Sequence, residues 1–216
     1  TSDTVPLGEL PSSHYGSRVL LEAGADGGLL TLPARPEETD FVQRTITARL
    51  DAAGTLTARV TEEYRGRYAV DERKDHRSQS AADYEAGNAS WIKSSARGAR
   101  IANLRAADRF DENAFDLSLE LTAPAYAQSL RGKLLVFKPA LVSRRRGTSF
   151  TEEQRTQPIR FTPAGTEEMA TIELPAEFAV DELPKPVELA TPFARYRATC
   201  VATGNTLRVE RRLEYL

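Results

Sequence analysis

The residues in this sequence best suited to nucleophilic chemistry are one cysteine and two histidines. Cys200 lies in an alternating run, on the same predicted strand face as Ala198 and Ala202, where a thiol behaves as a small buried apolar group. His14 and His76 lie in polar local sequence, far along the chain from Cys200. We therefore predict no cysteine–histidine pair. A Gly-x-Ser-x-Gly sequence is absent as well, so no serine nucleophile is predicted.

The chain also has few residues that could bind a metal ion. A single cysteine permits neither an internal disulfide nor a thiolate zinc cluster, and two distant histidines do not complete a ligand set. Four pairs of acidic residues are adjacent in sequence, so in a strand their members would point to opposite faces, and we predict solvated turn or edge residues. These pairs are Glu62-Glu63, Glu152-Glu153, Glu167-Glu168 and Asp181-Glu182. The sequence thus predicts no catalytic, cofactor-binding or metal-binding residue.

Binding of phosphate, nucleic acid or membrane is not favoured either. Residues 24–28 are rich in glycine but lack the Lys-Ser/Thr of a phosphate-binding loop, and we interpret them as a turn. The formal net charge is −2, which argues against a nucleic-acid surface. Arg144-Arg145-Arg146 is the one basic run, and we place it in a solvated loop. The longest apolar stretch, residues 134–137, is far too short to cross a bilayer.

The pattern of apolar residues predicts a mainly β, antiparallel sandwich-like architecture. Val42, Ile46, Ala48 and Leu50 alternate with polar residues, as expected for a sheet with one face on a core. A second alternating run, residues 56–61, follows a turn at residues 51–54 whose glycine permits a tight hairpin. Strong alternation recurs over residues 115–121. A weak strand is predicted at 101–107 and a buried run at 132–138. Short strands are predicted in the final third, where residues 204–205 signal a two-residue hairpin.

One main α-helix is predicted, over about residues 78–97. Ser80 is suited to cap its first turn, and Tyr84, Trp91 and Ile92 share a helical face. We expect Trp91 to fix this helix against a sheet. Residues 1–17 carry no sustained period and are interpreted as an extended arm, while residues 143–158 are interpreted as a long exposed loop.

Several segments, taken in order, resemble one family of bacterial extracytoplasmic proteins. The opening T-S-D-T-V-P-L-G-E-L-P and residues 16–21 resemble the tail of a transglutaminase-like domain. Later segments resemble the β region that follows that domain in the family. They are residues 29–33, 44–48, 54–58, 172–178, 181–187 and 207–213.

The resemblance implies an N-terminal β domain, a papain-like transglutaminase core and a C-terminal β domain. Residues 1–33 would be the arm or tail of the core, and residues 34–216 the C-terminal β domain, with a division near 143–158 left open. The family's Cys and His would precede Thr1, and its Asp would belong to an Asp-Pro-Thr stretch ending at Thr1. Asp3 does not replace that residue, so the resemblance implies a fragment without the catalytic site, from a longer precursor.

Three hypotheses on function follow from these residues and this resemblance. The first is a non-catalytic β module that supports a transglutaminase- or cysteine-protease-like core, its partner being that preceding domain of the same chain. The second is a module that binds peptide or cell-envelope polymer for the attached enzyme. The third is an enzyme with an unrecognised site. No cofactor, nucleic acid or membrane insertion is expected, and the resemblance implies a periplasmic or otherwise extracytoplasmic location.

Overall fold

The computed structural model describes residues 3–34, 40–140 and 162–216. Within those ranges the chain forms strands and α-helices in the order β1 Arg18–Leu21, β2 Gly28–Thr31, β3 Phe41–Leu50, β4 Leu56–Arg65, α1 Arg67–Ser78, α2 Ala81–Ser95, β5 Arg100–Arg109, β6 Ala114–Ala123, β7 Gln128–Leu130, β8 Leu134–Val136, β9 Ala164–Glu173, β10 Val187–Thr191, β11 Ala194–Thr203 and β12 Thr206–Tyr215.

Eight strands form one sheet in the order β10-β11-β12-β9-β3-β4-β6-β5. Neighbouring strands are antiparallel except for β3 and β9, which run parallel. The mainly β prediction is confirmed, and the parallel pair is the departure from a fully antiparallel pattern. This pair joins strands from residues 41–123 and 164–215 into a single sheet. The predicted loop at 143–158 lies outside the described residues.

One face of this sheet carries the apolar core, and we call it the covered face. Every second residue of β4 is buried from Leu56 to Tyr64, which confirms the period-2 prediction. Complete burial of a large apolar side chain stabilises the fold by roughly 1.5–3 kcal/mol. The largest almost fully buried aliphatic residues of the strands are Ile46, Leu50, Leu56, Val60, Leu119, Leu121 and Ile172. The other face, which we call the open face, carries mostly polar side chains.

Two helices pack on the sheet where the sequence predicted one. The predicted helix corresponds to α2, whose N-cap Ser80 accepts a hydrogen bond from the backbone of Asp83. Helix α1 was not predicted because its buried residues include Glu72 and Arg73 beside Ala69. Charged residues on the inward face remove the apolar period that identifies a helix.

The hairpins follow their turn residues closely. The predicted hairpins are confirmed as β3–β4 and as β11–β12, in which Thr203 pairs with Thr206 across the two-residue turn. Strands β1 and β2 also pair, on either side of the turn predicted at residues 24–28. The prediction of a buried run over residues 132–138 was wrong in part: Leu134 and Val136 are exposed, whereas Leu135 and Phe137 pack on the core. Alternation within β8 divides these side chains between its two sides.

The turn between β3 and β4 contains a glycine that lies close to the backbone of Ala127. Gly54 has a φ of +86°, and a Cβ at this position would lie 2.4 Å from the carbonyl oxygen of Ala127. Gly204 has a φ of +55°, and a Cβ there would meet no atom within 4 Å. We expect Gly204→Ala to cost about 1 kcal/mol from backbone strain alone. Gly54→Ala should cost roughly 3 kcal/mol because strain and overlap add.

Urea unfolding followed by circular dichroism measures both variants. Equal losses of stability in the two variants would show that the close approach of Ala127 contributes nothing.

Candidate functional site

Four charged side chains lie next to one another on the covered face, one on each of four neighbouring strands. In order across the sheet they are Glu62 on β4, Arg44 on β3, Glu168 on β9 and Arg211 on β12. Their Cα atoms are paired in register from each strand to the next. We call this arrangement the ionic row. Its charges alternate in sign across the centre of the sheet.

Direct hydrogen bonds join the four side chains of the ionic row. Arg44 Nε donates to Glu62 Oε1 at 2.5 Å, and Arg44 Nη1 donates to Glu168 Oε2 at 2.8 Å. Arg211 donates from Nε and Nη2 to Glu168 Oε1, at 3.0 and 2.5 Å. Glu62 and Glu168 are only 2% and 4% exposed. Buried charges persist in a fold when they are paired in this way.

Aromatic residues enclose the ionic row. The hydroxyl of Tyr64 donates to Glu62 Oε2, and the Trp91 ring centroid lies 5.3 Å from the guanidinium carbon of Arg44. Burial disfavours the charged form of Arg44, but Glu62 and Glu168 more than offset this effect, so the pKa of the guanidinium is raised. Arg44 therefore keeps its charge at the centre of the row, which joins four neighbouring strands.

The acidic pairs were predicted to be solvated, and this prediction was wrong for Glu62 and Glu168, which are buried. Glu62 and Glu168 point to the covered face, while Glu63 and Glu167 point to the open face. The sequence did hold a signal for this. In each of the four strands a single charged residue, such as Arg211 between Val209 and Leu213, occupies the apolar phase of the alternation.

The candidate nucleophile and bases lie in separate environments. Cys200 is partly buried against the core, and burial raises the pKa of its thiol. His14 is exposed in the arm. The His76 ring lies on helix α1, with its centroid 4.9 Å from that of Tyr84 and 5.5 Å from that of Phe115. Within the described ranges no hydrogen bond joins Cys200 to either histidine.

Other candidate sites can be placed in the same way. The run Arg144-Arg145-Arg146 lies outside the described residues. Among residues 3–34, 40–140 and 162–216, no group of three or more His, Cys, Asp or Glu side chains is arranged to hold a metal ion. In the same part of the chain no helix has the length and apolar character needed to span a bilayer.

A second buried arginine joins the N-terminal arm to the body of the fold. Arg73 on helix α1 is fully buried. Its Nε donates to Asp108 Oδ1 at 2.7 Å, and its Nη1 donates to the backbone oxygen of Thr4, also at 2.7 Å. The ring centroid of Phe110 lies 4.9 Å from the guanidinium carbon. We call Arg73 and these partners the arm anchor.

Further contacts reinforce the arm anchor. Arg77, one turn further along α1, donates to the backbone oxygen of Asp3 at 2.6 Å and to Asp108 Oδ2 at 2.9 Å. The side chain of Asn113 donates to the carboxylate of Glu9. Pro6 is buried, whereas Leu7 is fully exposed. The sequence predicts an arm but does not identify Arg73 as the residue that binds it. The two partners are 69 positions apart, so no local sequence pattern links Arg73 to Thr4.

Part of the chain matches a family model. Residues 133–215 match the model of a family described as "Domain of Unknown Function with solved-structure structure (DUF3858)". No curated protein matches the chain. The matched residues include β8 to β12, and β9 within them pairs with β3 outside them. The matched segment therefore shares its sheet, and the ionic row, with residues 41–123.

The ionic row can be tested with two neighbouring glutamates. We expect Glu168→Gln to cost about 3 kcal/mol, because it removes the counter-charge that buried Arg44 and partly buried Arg211 share. Glu167→Gln, on the open face of the same strand, should change stability by less than about 0.5 kcal/mol. Chemical denaturation of both variants at neutral pH provides the measurement. Similar effects from the two substitutions would refute a structural role for the row.

Tyr126 gives a prediction on alkaline pH. Burial, with a further contribution from Glu168 and an opposing one from Arg211, raises the pKa of Tyr126 to about 12. The unfolded phenol titrates near 10, so the folded state retains the proton that the unfolded state loses. Stability should therefore fall as the pH rises from about 10 towards 12, by roughly 3 kcal/mol over the full interval.

The Tyr126→Phe variant should lack this part of the alkaline loss. It also lacks the hydrogen bond from the hydroxyl to the backbone oxygen of Lys138, so the informative quantity is the slope of stability against pH. Identical slopes for the two proteins across the alkaline range would contradict the raised pKa.

Proposed function

We propose that this chain is a non-catalytic β module that holds the segment N-terminal to its sheet and so supports a preceding domain of the same polypeptide. Following the resemblance of the opening segment, that domain is a transglutaminase-like, papain-like core of a bacterial extracytoplasmic protein. The single observation that carries the proposal is the arm anchor, in which a buried guanidinium binds the backbone of the arm.

The energetics of Arg73 support this interpretation of the arm. A buried arginine is costly unless its donors are satisfied, and here one donor is satisfied by the arm itself, at Thr4. The hydrogen bond reaches a backbone oxygen, so it depends on the path of the arm rather than on one side chain. An arm that served only as a flexible linker would need no buried arginine to hold its backbone in place. The module thereby fixes the direction in which the chain approaches the sheet.

The placement of Cys200 supports the non-catalytic part of the proposal. Acyl transfer requires a nucleophile with a base within hydrogen-bond reach. The raised thiol pKa of Cys200 lowers the thiolate fraction at neutral pH, and His14 lies in the arm. In the proposed arrangement, the Cys, His and Asp of the reaction belong to the preceding core.

A second candidate function is binding of peptide or cell-envelope polymer. It is favoured by two adjoining depressions on the open face of the sheet. This function is compatible with the first, because the arm anchor and the depressions involve different residues.

The main test compares residues 1–216 with the longer polypeptide that carries the proposed core. Both are assayed with a glutamine-containing acyl-donor peptide and a primary amine. We expect turnover from the longer protein and none from residues 1–216. Turnover by residues 1–216 that is abolished by Cys200→Ala or His14→Ala would overturn the proposal.

The arm anchor is tested in the longer protein with Arg77→Ala and with Arg97→Ala as the matched control. Arg77 holds the arm at Asp3, whereas Arg97 is an exposed residue in the turn after α2. We expect Arg77→Ala to increase endoproteinase Glu-C cleavage after Glu9 several-fold, since local release of the arm exposes this bond. Turnover should fall with it. Unchanged cleavage and turnover in Arg77→Ala would contradict a supporting role.

A further inference from the structure

Two depressions of about 470 and 520 Å³ lie on the open face. Gln43 and Glu63 line both, so the two depressions adjoin on this face. The first extends over β3, β4, β6 and β5 to Arg105, and the second extends over β9, β12 and β11 to Arg195. We call the two depressions together the cross-strand groove.

The length of the cross-strand groove limits what it can accommodate. It passes over seven adjacent strands, which at about 4.8 Å per strand spacing corresponds to roughly 29 Å. An extended peptide covers this distance with about nine residues. A compact metabolite would occupy only a small part of it. The dimensions therefore fit a linear polymer that crosses the strands.

One end of the groove is basic. Arg65, Arg195 and Arg212 line it together with the ring of Phe41. The Phe41 ring fits against Gly165, where a Cβ would lie 2.5 Å from Phe41 Cδ2. Arg65 and Arg212 are paired with Glu63 and Glu214, whereas Arg195 is exposed.

Arg195 is the uncommitted cation of this end. Within the described part of the chain it forms no hydrogen bond or ion pair with another side chain. A guanidinium in this state can bind a carboxylate without first releasing a partner.

The other end of the groove is polar and close to neutral. Thr61 and Ser118 line it with hydroxyl groups, which can donate to and accept from peptide groups. Glu63 and Asp116 both accept from Arg109, at 2.8 and 3.1 Å. Arg105 lines the same end, so two arginines face the two carboxylates. This end suits a backbone segment better than a second charged group.

We infer that the cross-strand groove binds an extended peptide whose carboxylate pairs with Arg195, while its backbone lies along the polar end. Charge complementarity selects this occupant. A nucleic acid would place a phosphate at each nucleotide along the polar end, where Glu63 and Asp116 offset the positive charges of Arg105 and Arg109. A glycan would find its aromatic rings, Phe41 and Tyr215, at the basic end only, and Phe41 is already covered by the guanidinium of Arg212 at 5.9 Å. The inference does not depend on a supporting role for the module.

The test uses residues 1–216 and three labelled probes in fluorescence anisotropy. The first is an acetylated ten-residue peptide of Gly and Ser with three Glu residues. The second has Lys in place of Glu, and the third is a neutral chitin oligosaccharide. We expect saturable binding of the Glu peptide, at least tenfold tighter than that of the other probes, and weakened by salt.

Two arginine variants identify the site of binding. Arg195→Glu should weaken binding of the Glu peptide at least tenfold, since it reverses the uncommitted charge. Arg208→Glu is the matched control, because Arg208 is exposed on the open face of β12 outside the groove, and it should change binding less than twofold. Both residues are exposed, so a thermal melt is expected to confirm folded protein.

Three outcomes would each overturn the inference. They are no saturable binding of the Glu peptide up to millimolar protein, equal effects of the two arginine variants, and preferential binding of the oligosaccharide. None of them alters the expectations for the arm anchor, where Arg77 and not Arg195 is changed.

Discussion

The sheet depends on the alternating charges of Glu62, Arg44, Glu168 and Arg211. Each strand of the four contributes one charge, and a shift of any strand by one residue would move that charge to the open face and remove a counter-charge from its neighbours on the covered face. Apolar residues on both sides of the row, along the same strands, supply most of the driving force for folding. They do not specify which strand lies beside which, because one aliphatic face packs acceptably on another.

This constraint also accounts for the pairing of β3 with β9. Arg44 is the only member of the row with a carboxylate on both sides, and it lies at the parallel boundary between the strands of residues 41–123 and those of residues 164–215. The segment that matches DUF3858 includes Glu168 and Arg211 but neither Arg44 nor Glu62. Its covered face is therefore completed electrostatically by a part of the chain outside the match.

Arginine occurs in three different surroundings in this protein. Arg44 lies among carboxylates at the centre of the sheet, and Arg73 lies among neutral and charged acceptors where the arm meets helix α1. Arg195 is exposed at the basic end of the cross-strand groove. The planar guanidinium suits the two buried sites because it remains charged when buried and donates in several directions. The surroundings of an arginine, and not the residue type, therefore distinguish a structural arginine from one that is accessible to a ligand.

The sequence by itself determined the local structure: alternation identified β3, β4 and β6, Gly204 and Asn205 identified the last hairpin, and Ser80 identified the start of α2. These features arise from interactions within a few residues, which a local pattern captures. Tertiary structure alone decided that β3 pairs with β9 and that Arg73 reaches Thr4. It also decided that Arg44 lies between Glu62 and Glu168 on the covered face. Partners of buried charges are distant along the chain, so the sequence shows a charge in an apolar phase without showing what balances it.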